Sequence, residues 1–413
     1  MREKTQKLIP KLRFPEFQDA LEWKIKTVGK VVEFLDGQRK PIRESDRASI
    51  QGQYPYYGAS GIIDYINDFI FDEDLILLGE DGENIVSRNL PLVFKVSGKC
   101  WVNNHAHVLK PNKPHNLDFL VQYMENLSYI KYNSGGAQPK LNQAVCKTIP
   151  LLLPQPKEQQ KIADCLSSID ELITAQTKKI AALKDHKKGL MQQLFPLEGE
   201  TIPKLRFPEF QDAKEWVEKP LAKVCDVLQG FGFPEVLQGK NEGKYPFCKV
   251  SDISRAVAEK GGILSEATNY IGDDELLKLR AKLIPEGSTV FAKIGEALRL
   301  NRRAYVQKAC LIDNNATGLK AIEGVALDYF VYLMSQLIDL NEYCGGAVPS
   351  VNKTTLEEIK VIVPKPEEQQ KIADCLSSID ELIATQTQKL EAYKAHKIGL
   401  MQQLFPDTDK VSE

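Results

Sequence analysis

Apolar residues between Pro156 and Pro196 recur in alternating steps of four and three: Ile162, Leu166, Ile169, Ile173, Ile180, Leu183, Leu190 and Leu194, with Gln176 and Lys187 in the two polar places of the series. That stepping is a heptad seam, and it predicts one helix of 39 residues, roughly 58 Å long at 1.5 Å per residue. A second series keeps the same register through Ile372, Leu376, Ile379, Ile383, Leu390, Tyr393, Leu400 and Leu404, with Gln386 and Lys397 in the polar places. Matched seams with matched interruptions predict that the two helices pair with each other, the polar residues fixing register at some cost in stability. Antiparallel pairing would create a pseudo-two-fold axis. Shorter apolar runs elsewhere have the look of strands: LILLGE (75–80), PLVFKV (91–96) and CWVNNHAHVLK (100–110), around turns at Asp81–Gly82 and Ser97–Gly98, with LDFLVQYMENL (117–127) as a helix. STVFAKIG (288–295), RRAYVQK (302–308) and ALDYFVYLMSQL (326–337) fill similar places further along.

The chain contains itself twice. PKLRFPEFQDA at 10–20 recurs at 203–213, EQQKIADCLSSIDELI at 158–173 recurs at 368–383, and GLMQQLFP at 189–196 recurs at 399–406. Between these constant blocks, residues 21–153 and 214–363 share little beyond a closing pattern, GGAQPKLNQAVCKTIPLLLP (135–154) against GGAVPSVNKTTLEEIKVIVP (345–364). The reading is therefore a first mixed domain over 1–153 with its head at 10–20, a helix over 154–196, a second domain over 197–363 with its head at 203–213, a helix over 364–406 and a tail at 407–413. A constant frame around divergent inserts suggests that each insert reads a different target.

Composition narrows the class. At 43% hydrophobic and 27% charged, the 413 residues are those of a folded globular protein, and no apolar run approaches a membrane span. The start, MREKTQKLIPKLRF, lacks the apolar stretch of a signal peptide, and the eight Cys form no CxxC, so a reducing cytoplasm is the expected location. A formal charge of −2 argues against coating nucleic acid by charge alone. Catalytic signatures are missing: there is no NPPY or DPPY motif, and the Gly239–Gly243–Lys244–Tyr245 stretch fails as a phosphate loop in both spacing and final residue. Carboxylates at Asp72, Glu73, Asp74, Glu80, Asp81 and Glu83 read as a solvated face. His105 and His107 share strand spacing but have no evident third ligand, so no metal is expected.

YPYYGASGIIDYI (54–66), LLGEDG (77–82), WVNNHAHVL (101–109), GGAQPKLNQ (135–143) and the two P-x-P-x-EQQKIA helix starts at 154 and 364 together resemble the specificity subunit of type I restriction–modification systems, over nearly the whole chain. The resemblance implies an α+β architecture: two mixed α/β target recognition domains in tandem, separated by two long antiparallel coiled-coil helices. It implies a non-catalytic subunit that recognises a bipartite sequence in double-stranded DNA and recruits two modification subunits and the restriction subunits. S-adenosylmethionine, ATP and Mg would then sit on those partners, with no cofactor in this chain. The repeated EQQKIADCLSSIDELI stretch would offer the modification subunits equivalent docking sites, with Gln159, Gln160, Asp164 and Asp170 on its solvent side.

Polar and basic residues beside turns are the candidate DNA contacts, because Arg and Lys pair with guanine edges and Asn and Gln with adenine edges. In the first insert these are Gln38, Arg39 and Lys40, then Tyr57, Ser60 and Arg88, then Asn103, Asn104, His105 and His107, and last Gln138, Lys140 and Asn142 of the Gly-rich loop. In the second they are Lys249, Ser251 and Arg255, then Lys293, then the cationic stretch Arg299, Asn301, Arg302 and Arg303, and last Ser350, Asn352 and Lys353. The second insert lacks both YYGASG and NNHAHVL, so the two inserts are expected to read different half-sites. An enzyme acting by itself and a scaffold that binds only proteins are the rival classes.

Overall fold

The computed structural model describes residues 9–345 and 348–406; the 407–413 tail, and Gly346 and Ala347 of the second Gly-rich loop, lie outside the described residues. The chain forms two compact units, one of residues 1–175 with 390–413 and the other of residues 176–389. The divisions fall inside the two long helices, Pro156–Leu194 and Pro366–Leu404, so each unit holds one insert and a segment of each helix. Both helices start on Pro, whose fixed φ suits the first helical position, and stop before Pro196 and Pro406.

In the first unit, strand Lys24–Thr27 pairs antiparallel with Pro150–Leu153 and closes the insert onto the start of the first helix. One four-stranded sheet has the order Val32–Phe34, Ala106–Pro111, Leu75–Gly79, Val93–Val96. A second has the order Gly61–Ile66, Gln51–Gly58, Lys99–Val102, Phe71–Asp72. The expected 100–110 strand is thus two strands, broken at Asn103–His105, where the Asn103 side chain accepts from His105 N–H at 2.8 Å and turns the backbone. The 117–127 helix forms as Leu117–Glu125, capped by Asn116, whose Oδ1 accepts from Phe119 N–H. Its Phe119 lies edge-on to Trp23 and to Phe405, the residue that follows the second helix. Ile162 and Leu166 join that core together with Leu404, while Lys397 binds Asp170 at 2.7 Å, so the two helix segments run antiparallel in this unit.

The second unit repeats the frame. Val217–Pro220 pairs with Lys360–Val363; Phe195, which follows the first helix, stacks on Phe330, and Trp216 meets the same ring edge-on. Five strands, ordered Cys225–Gln229, Ala316–Ala321, Thr289–Ala292, Ala304–Val306, Ile263–Leu264, form one sheet, and Tyr270–Ile271, Tyr245–Cys248 and Leu311–Ile312 form another. Lys187 binds Asp380 at 2.6 Å and Gln176 donates to the Gln386 Oε1 at 2.9 Å, again with the segments antiparallel. The polar seam positions therefore have partners: each Lys takes the Asp at the same place in the repeated block, and the glutamines take each other. Every seam residue named above is buried or half-buried.

The repeated head is clamped twice in the same manner. Arg13 makes a bidentate pair with Glu158 at 2.8 Å, and Trp23 Nε1 donates to the same carboxylate at 3.2 Å. Arg206, Glu368 and Trp216 repeat this at 2.7 and 3.2 Å. Each Glu sits in the first turn of its helix, where the dipole also favours negative charge. Gln159, expected on the solvent side, is buried, accepting from Asn116 N–H and donating to Pro154 O. Asp170 is half-buried, held across the helix pair by Lys397 and by Gln122. Gln160 and Asp164 are exposed, joined to each other at 2.7 Å.

Candidate nucleic-acid interface

Three segments distant in sequence meet at one end of the first unit. Strand Leu75–Gly79 runs out into Glu80–Asp81–Gly82, and Glu80 N–H donates to His105 O at 2.8 Å. Leu141 N–H, at the end of the Gly-rich loop, donates to Glu80 O at 2.7 Å, and Gly82 N–H donates to Pro139 O at 3.0 Å. The turn at Asn103 is anchored by its N–H to Tyr57 O at 3.0 Å, which brings the strand end at Tyr57–Gly58 alongside. Glycine is required at Gly79, where a Cβ would stand 2.7 Å from Ala59 O, and at Gly135, where it would stand 1.9 Å from Gln138 O.

The second unit builds the same cluster from different side chains. Lys293 N–H donates to Asn315 O at 2.8 Å, Val351 N–H to Lys293 O at 3.0 Å, and Gly295 N–H to Pro349 O at 2.8 Å. Asp313 N–H donates to Cys248 O at 3.0 Å, and the Asp313 carboxylate accepts from Asn315 N–H at 3.0 Å. LIDNNATGLK (311–320) is therefore the structural counterpart of WVNNHAHVLK (101–110), although it lacks the NNHAHVL motif itself. In that register the two stretches share Asn104 with Asn314, Ala106 with Ala316, and the closing Leu-Lys at 109–110 and 319–320. Glu80 in the first unit corresponds in this pattern to Lys293 in the second, a reversal of charge on a common backbone. After the anchoring strand, the first unit continues into the hairpin tip at Ala59–Ser60, the second into helix Val250–Glu259, which begins beyond Lys249.

Several expected contacts fall on these clusters. Asn104, His105, Gln138, Lys140 and Asn142 are exposed on the first, with Ser60 half-buried at the hairpin tip and Gln38 and Lys40 exposed nearby in sequence to Arg39. Arg39 itself is committed inward, to Glu80 at 2.6 Å and Ala106 O at 2.8 Å. Tyr57 is half-buried in its strand, its ring against Phe94. On the second, Ser350 is exposed and Lys293 is half-buried, donating to Gln229 at 2.9 Å. Lys249 and the exposed Ser251 and Arg255 lie at the start of the helix that follows. Asn352 caps helix Lys353–Glu358 through Thr355 N–H, and Lys353 sits beside Glu357.

Other residues expected at DNA are enclosed or lie elsewhere. Asn103 is buried as the turn's internal cap. His107 is 1% exposed, with Nδ1 2.7 Å from Asp36 and Nε2 2.8 Å from Leu141 O. Burial alone would lower its pKa; the bonds and fields of Asp36 and Cys146 outweigh this and push it up to about 10. It staples the Gly-rich loop to the sheet and does not face outward. Arg303 is 4% exposed, donates to Ile338 O at 3.0 Å, and lies over the Phe291 ring; burial lowers its pKa to about 10. Asn301 donates to the same carbonyl and is half-buried, as is Arg302, so only Arg299 of that stretch is exposed. Arg88 is tied to Glu125 at the end of helix Leu117–Glu125. His105 pairs with Asp81 at 2.8 Å while His107 points inward, so the two do not share a face.

A fold of two tandem mixed α/β domains bound to long heptad helices, each presenting the same loop cluster in different chemistry, defines a class of modular readers. The family model for the type I restriction modification DNA specificity domain matches residues 20–185 and 213–394, and the chain belongs to that family, whose function is DNA sequence recognition. It is 24% identical over 377 residues to a putative type I restriction enzyme specificity subunit of Haemophilus influenzae, covering 90% of each chain. It is 24% identical over 422 residues to the MjaVIII specificity subunit of Methanocaldococcus jannaschii, covering 95% of this chain and 93% of that one. The crystal structure of the S subunit from M. genitalium shares the fold, with a TM-score of 0.64 at 15% identity over 97% of this chain and 99% of that one. No helix among the described residues is long and apolar enough to cross a membrane.

Proposed function

We propose that this chain is the non-catalytic reading subunit of a type I restriction–modification complex, each unit reading one half of a bipartite target in double-stranded DNA. The observation that carries this is the pair of loop clusters built on one hydrogen-bond pattern with opposite charge at Glu80 and Lys293. The 39-residue helices set the spacer, and exposed positions on the repeated block, Gln160 and Asp164 with their counterparts, receive two modification subunits. Restriction subunits join the same complex. S-adenosylmethionine, ATP and Mg belong to those partners. Mapping methylated adenines in the host genome, with and without this chain, tests the proposal. One motif of two specified halves around an unspecified spacer, lost on deletion, is the expected result; a continuous motif, or none lost, contradicts it.

A further inference from the structure

Beside the first loop cluster the hairpin exposes two adjacent apolar side chains, Ile62 and Ile63, and of these Ile63 is the one set against the glycine beside the Asn103 turn. Hairpin Gln51–Gly58 and Gly61–Ile66 pairs Tyr57 with Ile62 but Tyr56 with Asp64, leaving Ile63 as an extra, unpaired residue. Such a bulge re-aims its side chain. Ile63 is 53% exposed, and a Cβ placed on Gly58 would lie 3.3 Å from its Cγ2 and 3.5 Å from Asn103 Nδ2. The side chain therefore lies next to the Asn103–His105 turn. The register that exposes it is held on the next residue, where Asp64 binds Arg47 at 2.8 Å and Gln51 at 3.1 Å, and by buried Ile66. At the corresponding place in the second unit the chain enters a helix carrying exposed Ser251 and Arg255.

We infer that Ile63 is a specificity-determining residue that contacts the C5-methyl of a thymine in the half-site read by the first unit. That methyl is the apolar feature on the base edges of the major groove, and polar neighbours on the cluster, Asn104, His105 and Gln138, are suited to the hydrogen-bonding edges around it. The inference rests on the proposed DNA reading and narrows it to one base-edge contact.

The test uses the complex of the full chain with its modification subunits, on duplexes carrying the mapped target. Thymines of the half-site that changes when 21–153 is exchanged are replaced one at a time by deoxyuridine, which lacks only the methyl. Wild type should lose about fourfold in affinity at one position, the value of one buried methyl-sized group. Ile63→Ala should bind the unmodified target about that much more weakly and show no further loss with deoxyuridine there, while Ile63→Val should keep the sensitivity. A half-site without thymine on either strand overturns the inference. So does a wild type indifferent to every replacement, or an Ile63→Ala variant that remains sensitive. Failure of Ile63→Ala to retain modification subunits, with wild type indifferent to deoxyuridine, reassigns the residue to protein docking and also overturns it. These outcomes leave the DNA reading intact; absence of any sequence-specific binding by the wild-type complex overturns both.

Discussion

His107 has an acceptor at each ring nitrogen, which holds it as the doubly protonated cation inside the first unit. Its folded pKa of about 10 lies above the unfolded value near 6.5, so its contribution is complete below pH 6.5 and is lost as pH rises through 10. Chemical denaturation of wild type and His107→Gln across pH 6 to 10 should show a gap of a few kcal/mol, on the order expected for a shift of this size, that narrows with rising pH. A constant gap would contradict the assignment. His105 and His107 also show where residue-level reading of the sequence stops. Strand spacing puts them on one face, but the Asn103 turn between the two strands sends His105 outward and His107 inward. Arg303 was hidden for a similar reason: a cationic run looks solvated until the Asn301 carbonyl partner at Ile338 is known to draw two of its members inward.

The long helices were legible because ten seam positions, five heptads, are written twice, whereas the inserts' strands of two to eight residues carry too few positions to fix pairing. What periodicity could not supply was the partner of each polar seam residue, since Asp170 and Asp380 lie off the seam and 227 and 193 residues from Lys397 and Lys187. The head clamp was equally invisible, as it joins Arg13 to Glu158 across 145 residues. Both of its charged side chains are almost fully enclosed, at 8% and 1% exposure. Glu158→Ala would leave Arg13 buried without its anion and Trp23 without an acceptor. It should cost about 3 to 5 kcal/mol, read as a lower denaturation midpoint, while Glu16→Ala at the exposed Lys161 pair should change little. Equal effects from the two substitutions would refute the clamp.

Across the whole molecule, near-neutral charge and mixed loop clusters predict that the chain alone binds DNA weakly and that basic partner subunits supply much of the phosphate attraction. Titration at two salt concentrations should give a smaller salt slope for the chain than for the assembled complex. Adding one heptad to each helix, about 10.5 Å, should lengthen the methylated motif's spacer by about three base pairs or abolish activity; an unchanged spacer rules out the ruler. The duplicated frame was plain in the sequence, but the kinship of the inserts was not, because hydrogen bonds from backbone atoms preserve the cluster while side chains at 80 and 293 reverse sign. The most direct test is to exchange residues 21–153 for the corresponding insert of another family member and map methylated adenines. One half of the motif should change while the other half and the spacer stay as they were; a change in both halves would contradict independent reading by the two units.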